Sequence, residues 1–169
     1  MKGEGFLLCI AQVGLTFAGF AGLIGVFRPS EKKWIPQEIA GLSLILEHTF
    51  AAVLLSLLPF PLFYLAETRM WSGCSFLMSA FFIVEAVHQW RKKIKLDKKG
   101  FPPRRPKLLY LTFVVPSLIL FLLELINGFR WMLPSVYMFG LLWLLIAAGV
   151  QFLLFVSFFS ASRNVEGNP

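Results

Sequence analysis

Two acid–histidine pairs are the residues of this sequence whose types and spacing could do chemistry. Glu47 and His48 are adjacent, and Glu85 precedes His88 by three residues. Both pairs fall inside long apolar segments, and residues three apart share one face of a helix. Ionisable groups inside a membrane-spanning helix are costly, so they usually face the protein interior and pair with one another. The sequence therefore predicts one polar cluster made of Glu47, His48, Glu85 and His88.

Three interpretations of this cluster remain open. The first is a hydrogen-bonded network that fixes helix packing, since buried polar groups are generally satisfied. The second is a proton- or ion-binding site on a conduction path. The third is a cofactor site. Glu85 and His88 match one Glu-x-x-His pair of a di-metal bundle site, and His48 with His88 could bind one haem. The second Glu-x-x-His pair is missing, because Asn127 occupies that register after Glu124. We therefore expect no metal and no cofactor.

The composition decides which kind of fold must position these residues. The chain has 169 residues, of which 57% are hydrophobic and only 15% charged, and its mean hydropathy is +0.74. Soluble domains carry about 25% charged residues. There are too few charges here to cover a soluble globule, so the composition excludes soluble, disordered and disulfide-rich secreted classes. It predicts an all-α, polytopic membrane protein.

The apolar segments divide into five predicted transmembrane helices of a single helical domain, 1–169. A helix needs about 20 apolar residues to cross the hydrocarbon core. The predicted spans are 5–27, 39–66, 72–90, 108–127 and 134–160. A four-span arrangement is the alternative. The first segment is too long for the apolar region of a signal peptide, so it is interpreted as a retained helix.

A basic segment, residues 91–107, sets the predicted orientation. It contains a single acid, Asp97, and nine basic residues: Arg91, Lys92, Lys93, Lys95, Lys98, Lys99, Arg104, Arg105 and Lys107. Basic loops stay on the cytoplasmic side, which places the N-terminus outside and the C-terminus inside. We expect this loop to contact anionic lipid headgroups of the bilayer. It lacks the interleaved aromatic residues of a nucleic-acid platform, so no nucleic-acid partner is predicted.

Prolines predict where helices begin and break. Pro36 and Pro134 suit the first turn of the second and fifth spans. Pro59 and Pro61 remove amide donors inside the second span, so a bend or break is expected there. We interpret these features as packing kinks rather than gating hinges, because proline is common in membrane helices.

Two further sets of residues bear on packing. Gly14, Ala18 and Gly22 are small residues at steps of four, which let two helices approach closely. Packing within the chain is the favoured interpretation, and a homo-oligomer interface is the alternative.

Cys9 and Cys74 both fall near the predicted outer ends of their helices. We expect two free thiols rather than a disulfide.

A second polar group is predicted toward the outer side of the membrane. It comprises Glu124, Asn127 and Arg130. We expect Glu124 to form a local ion pair with a neighbouring arginine, either Arg130 or Arg69, that anchors helix ends. One half of a transport path is the alternative.

No catalytic or nucleotide-binding signature is present, so enzymatic activity is not the favoured interpretation. P-loop, GxSxG, HExxH, CxxC and GxGxxG motifs are all missing from the sequence. The leading hypothesis is a non-enzymatic subunit or scaffold of a homo- or hetero-oligomeric assembly in the cell (inner or plasma) membrane. A small channel or transporter that uses the Glu/His cluster is the alternative. A haem- or metal-binding membrane protein is the third option.

Overall fold

A computed structural model describes residues 3–26, 36–65, 69–98 and 107–166. The helices are α1 (Glu4–Val26), α2 (Pro36–Leu57), α3 (Pro59–Leu65), α4 (Met70–Lys98), α5 (Lys107–Ile126) and α6 (Pro134–Glu166), with a π-helical turn at Asn127–Trp131. No strand occurs in these ranges. Five stretches are long and apolar enough to cross a membrane: Glu4–Val26, Glu38–Tyr64, Met70–Arg91, Phe113–Trp131 and Pro134–Ser157. The predicted all-α helical bundle of a multi-pass membrane protein is confirmed.

Prolines begin three of the helices. Pro36 opens α2 and Pro134 opens α6, as predicted, because proline fixes φ and the first turn has no use for its missing amide hydrogen. The second span breaks after Leu57, and α3 begins at Pro59. Pro116 lies inside α5 without ending it. The expected interruption of the second span is therefore observed, and Pro59 accounts for it.

The predicted loop after the third span is partly helical. Helix α4 continues through Arg91 and ends at Lys98, and Lys107 is the first residue of α5. The prediction of a loop over 91–107 was therefore wrong for its first half. The reason is that lysine and arginine are good helix formers, so a helix continues past the membrane boundary when only the apolar pattern ends. Residues 99–106 lie outside the described residues.

The described residues fall into two compact units, and each is considered by itself. The first unit contains α1, α2 and α6 from Leu141 onward. Gly14 allows α1 to approach α2 closely, because a Cβ at this position would lie 3.2 Å from the Thr49 carbonyl oxygen. Further along α1, Ala21 packs with Ile45 and Phe155 in a buried apolar cluster.

The second unit runs from Leu58 to Gly140 and contains α3, α4, α5, the π-helical turn and the first residues of α6. Helix α4 packs against α5 and against the turn, and α3 packs against α4. Tyr137, Phe82 and Met78 are among its fully buried side chains. Phe76 stacks edge-on against Phe129 of the turn, with ring centroids 4.8 Å apart.

Candidate functional site

The four residues of the predicted Glu/His cluster are divided between the two units. Glu47 and His48 lie on α2, in the first unit, whereas Glu85 and His88 lie on α4, in the second. Each pair is therefore described separately. Whether the four form one cluster stays a prediction.

On α2, His48 is buried and Glu47 is half-buried. The His48 ring donates a hydrogen bond from Nδ1 to the Leu44 carbonyl oxygen at 2.8 Å. A carbonyl oxygen only accepts, so this contact places a proton on Nδ1. Glu47 accepts a hydrogen bond of 3.4 Å from the Ser43 hydroxyl. Both of these contacts lie within α2.

On α4, Glu85 is half-buried and His88 is exposed. Of this predicted pair, only Glu85 is therefore partly turned away from the exposed surface. Within the described ranges, no three His, Cys, Asp or Glu side chains are grouped so that they could hold a metal ion. Among the described residues, Glu85 and His88 therefore have no third side chain with which to hold a metal ion.

The three residues of the outer polar group differ in their burial. Glu124 and Asn127 are fully buried, whereas Arg130 is exposed, as is Arg69. Neither carboxyl oxygen of Glu124 has a hydrogen-bond partner among the described residues. The ion pair predicted between Glu124 and a neighbouring arginine is therefore wrong. Arg130 lies six residues later, in the π-helical turn, where its side chain is exposed.

Asn127 holds the connection between α5 and α6. Its Nδ2 donates to the Ser75 hydroxyl at 2.8 Å and to the Leu133 carbonyl oxygen at 3.0 Å. Its Oδ1 accepts from the Leu133 amide at 2.8 Å, and its own carbonyl oxygen accepts from the Met132 amide at 2.8 Å. Met132 has a φ of 50°, which a non-glycine residue adopts only where its surroundings hold it. Asn127 is therefore the structural anchor of this turn.

The Glu124 carboxyl lies among side chains from three helices. Gly140 of α6 faces it, since a Cβ there would lie 2.7 Å from Glu124 Oε1 and would collide with the Met78 sulfur. The Ser75 hydroxyl of α4 is close enough to interact with the carboxyl, although without full hydrogen-bond geometry. Cys74 of α4 and Tyr137 of α6 contact each other and lie near the Glu124 carboxyl.

Sequence reasoning missed most of the residues around Glu124. One face of α4 carries three serines, Ser72, Ser75 and Ser79, and all three form hydrogen bonds with α5 or with the turn. Ser72 donates to the Gly128 carbonyl oxygen at 2.6 Å, and Ser79 donates to the Phe121 carbonyl oxygen at 3.3 Å. This serine spacing was a usable signal, because residues three and four apart share a helix face. The role of Gly140 had no signal in the sequence.

The small residues of α1 do not form one packed stripe. Gly14 is buried against α2, and Ala18 is half-buried. Gly22 is exposed, and a Cβ added there would meet no atom within 4 Å. A step of four residues advances about 400° around a helix, so the stripe drifts from the inward face to the outward face. Cys9 is an exposed free thiol and Cys74 a buried one.

Of the basic segment, residues 91–98 and 107 are described, and Arg91 is the one basic residue among them whose side chain is described; it is exposed. Its predicted contact with lipid headgroups stays a prediction.

Comparison with family models, with curated proteins and with solved structures gives no match for this chain. The candidate sites are therefore argued from their geometry alone.

Proposed function

We propose that this protein is a non-enzymatic, multi-pass subunit of an oligomeric assembly in the cell membrane, and that α1 docks a second copy of the chain. The observation that carries the proposal is the exposed residue Gln12, which bears a side-chain amide, inside a helix long and apolar enough to cross a membrane. Gln12 lies about 12 Å from the start of α1, at 1.5 Å per residue. This depth is within the hydrocarbon core.

Four of the residues that share a face with Gln12 are small or polar. They are Gly5, Cys9, Thr16 and Gly19, which follow alternating steps of four and three residues with Gln12 and are all exposed. The exposed side chains of Leu8, Leu15 and Leu23 lie on the same face. The buried residues Leu7, Gly14 and Ala21 lie on the opposite side of α1. We call the exposed set of Gly5, Cys9, Gln12, Thr16 and Gly19 the outward face of α1. Its spacing is that of a helix pair with left-handed crossing, and small residues let two such helices approach closely.

Lipid tails offer no hydrogen-bond partner to a side-chain amide, whereas a polar residue of a second helix does. The Thr16 hydroxyl is already satisfied, because it donates to the Gln12 carbonyl oxygen of its own helix at 2.9 Å. The Gln12 amide carries two donor hydrogens and an acceptor oxygen, so two copies of it satisfy each other. Copies of one chain inserted the same way present α1 in parallel, which brings Gln12 against Gln12. This self-complementarity favours a second copy over a different partner.

The proposal is tested by native mass measurement after extraction in a mild detergent. We expect a multiple of the 19.2 kDa chain mass. Gln12→Leu should weaken association about threefold to thirtyfold on dilution, since an intramembrane hydrogen bond contributes about 0.6–2 kcal/mol. Val13→Leu is the matched control, because it lies about 100° around the helix from Gln12. A wild-type protein that runs only as a single 19.2 kDa chain would contradict the proposal.

A small channel or transporter is the second candidate function, and the buried position of His48 favours it. Histidines and carboxyls within spans serve as proton relays in such proteins. On this proposal, Glu47, His48, Glu85 and His88 carry the conducted proton or ion. Flux into proteoliposomes tests it: Glu85→Gln should abolish the flux. Unchanged flux would remove the cluster from any transport path.

A further inference from the structure

Glu124 is a fully buried acid whose two carboxyl oxygens both have no hydrogen-bond partner in the described structure. It lies on α5 inside the fourth membrane-spanning stretch. A buried polar group without a partner costs free energy, and an isolated carboxylate costs far more than a neutral carboxylic acid. Such a residue is rarely kept as packing material, which an apolar side chain does better.

The groups that face Glu124 from the neighbouring helices are neutral. From α4 they are the hydroxyl of Ser75, the thiol of Cys74 and the thioether of Met78; from α6 they are the phenol of Tyr137 and the backbone of Gly140. Thiols and phenols ordinarily hold their protons at neutral pH. None of these five groups carries a positive charge that could offset a carboxylate.

We propose that Glu124 is a proton-binding site in the interior of the second unit, and that Ser75 and Asn127 transmit its protonation to the turn between α5 and α6. The proton is the ligand that fits, because the surroundings are close-packed. Gly140 leaves no room for even one added carbon atom between Glu124 Oε1 and the Met78 sulfur. Proton release breaks the carboxyl O–H bond, and the proton passes to solvent water as the carboxylate remains.

Ser75 is the link between the carboxyl and the turn. Its oxygen accepts a hydrogen bond from Asn127 Nδ2 at 2.8 Å, which leaves its own hydrogen available to donate. When Glu124 ionises, the strongest use of that hydrogen is a bond to the carboxylate, since charge-assisted hydrogen bonds are about twice as strong as neutral ones. Ser75 then moves toward Glu124, and Asn127 has to follow or lose a bond. Asn127 is also bonded to Leu133 at both its amide and its carbonyl group, so the turn responds.

The test is infrared spectroscopy of the full-length protein in lipid, titrated with pH. A protonated carboxylic acid has a C=O stretching band that is separate from the carboxylate bands and shifts when the acid proton is exchanged for deuterium. We expect wild-type protein to show this band at neutral pH and to lose it in alkaline solution. Glu124→Gln should lack the band, whereas the matched variants Glu47→Gln and Glu85→Gln should keep it.

Two results would overturn the proposal. One is a wild-type protein with no acid band at neutral pH, which requires no variant to interpret. If its carboxylate bands then change on exchange of Na⁺ for K⁺, the site binds a metal cation instead. The other is an acid band that survives in a folded Glu124→Gln protein, with folding checked by circular dichroism and by its elution volume. Coupling to the turn is read separately, from tryptophan fluorescence during the same titration, as the difference between wild type and Trp131→Phe, because the chain has five tryptophans. If this difference does not change with pH while the acid band titrates, the transmission step is removed.

Discussion

Asn127 donates a hydrogen bond from its side-chain amide to the Ser75 hydroxyl at 2.8 Å, and this contact joins the turn after α5 to the N-terminal part of α4. The same amide pairs with the backbone of Leu133 at two points. Both the amide nitrogen and the amide oxygen of the Asn127 side chain therefore form hydrogen bonds within this turn and to α4. Asn127, predicted only as a member of the outer polar group, therefore holds the backbone of the turn in place.

Replacing Asn127 should destabilise the second unit. Asn127→Ala removes three side-chain hydrogen bonds and leaves the Ser75 and Leu133 groups to find other partners, which costs about 1–3 kcal/mol for each buried group left unsatisfied. We expect a clearly lower midpoint of thermal unfolding in detergent. Arg130→Ala, at an exposed position of the same turn, is the control and should change stability by less than about 0.5 kcal/mol. Equal midpoints for both variants would refute the role of Asn127.

Adding one methyl group opposite Glu124 should be costly. In Gly140→Ala, the new Cβ would overlap the Met78 sulfur and lie 2.7 Å from Glu124 Oε1. Overpacking of this kind typically costs about 1–3 kcal/mol. Gly22→Ala is the matched control, because a Cβ there meets nothing within 4 Å. Thermal unfolding of the two variants side by side measures the difference. A Gly140→Ala protein as stable as Gly22→Ala would show that the packing around Glu124 is looser than described.

The predicted orientation depends on the basic segment 91–107 and is tested with reporters. A fluorescent protein that matures only in the cytoplasm should be bright when fused after Pro169. A phosphatase that is active only outside should be inactive at the same position. Changing Lys95, Lys98, Lys99, Arg104 and Arg105 to Gln should produce a mixed population, since the excess of basic residues determines which loops stay inside. An active phosphatase on the wild-type C-terminus would reverse the topology.

The helices were predictable from the sequence, whereas the polar contacts were not. The apolar runs and the prolines at 36, 59 and 134 determine where helices begin or break, because both act locally. The extension of α4 to Lys98 was missed, since loss of apolar residues was taken as the end of the helix. Contacts between distant residues depend on how helices pack together, and a sequence pattern does not give that.

The two polar sites show this limit in different ways. Glu124 was recognised as an intramembrane acid, but the arginines predicted to pair with it, Arg130 and Arg69, are exposed. The π-helical turn at Asn127–Trp131 changes which residues face inward, and no residue type in the sequence predicts such a turn. His48 and Glu47 were recognised as unusual on composition alone, and their described contacts are with Leu44 and Ser43 of the same helix.

Oxidative cross-linking of the native Cys9 tests the central claim, a second copy docked on the outward face of α1, most directly. Cys9 is an exposed free thiol on that face, and a disulfide forms only when the two Cα atoms come within about 7 Å. Mild oxidation of intact membranes should give a non-reduced band at twice the 19.2 kDa chain mass. The band should vanish in Cys9→Ser and persist in Cys74→Ser, where the buried thiol is removed. A protein that stays monomeric after oxidation, or a dimer band that depends on Cys74 and not on Cys9, would contradict the account.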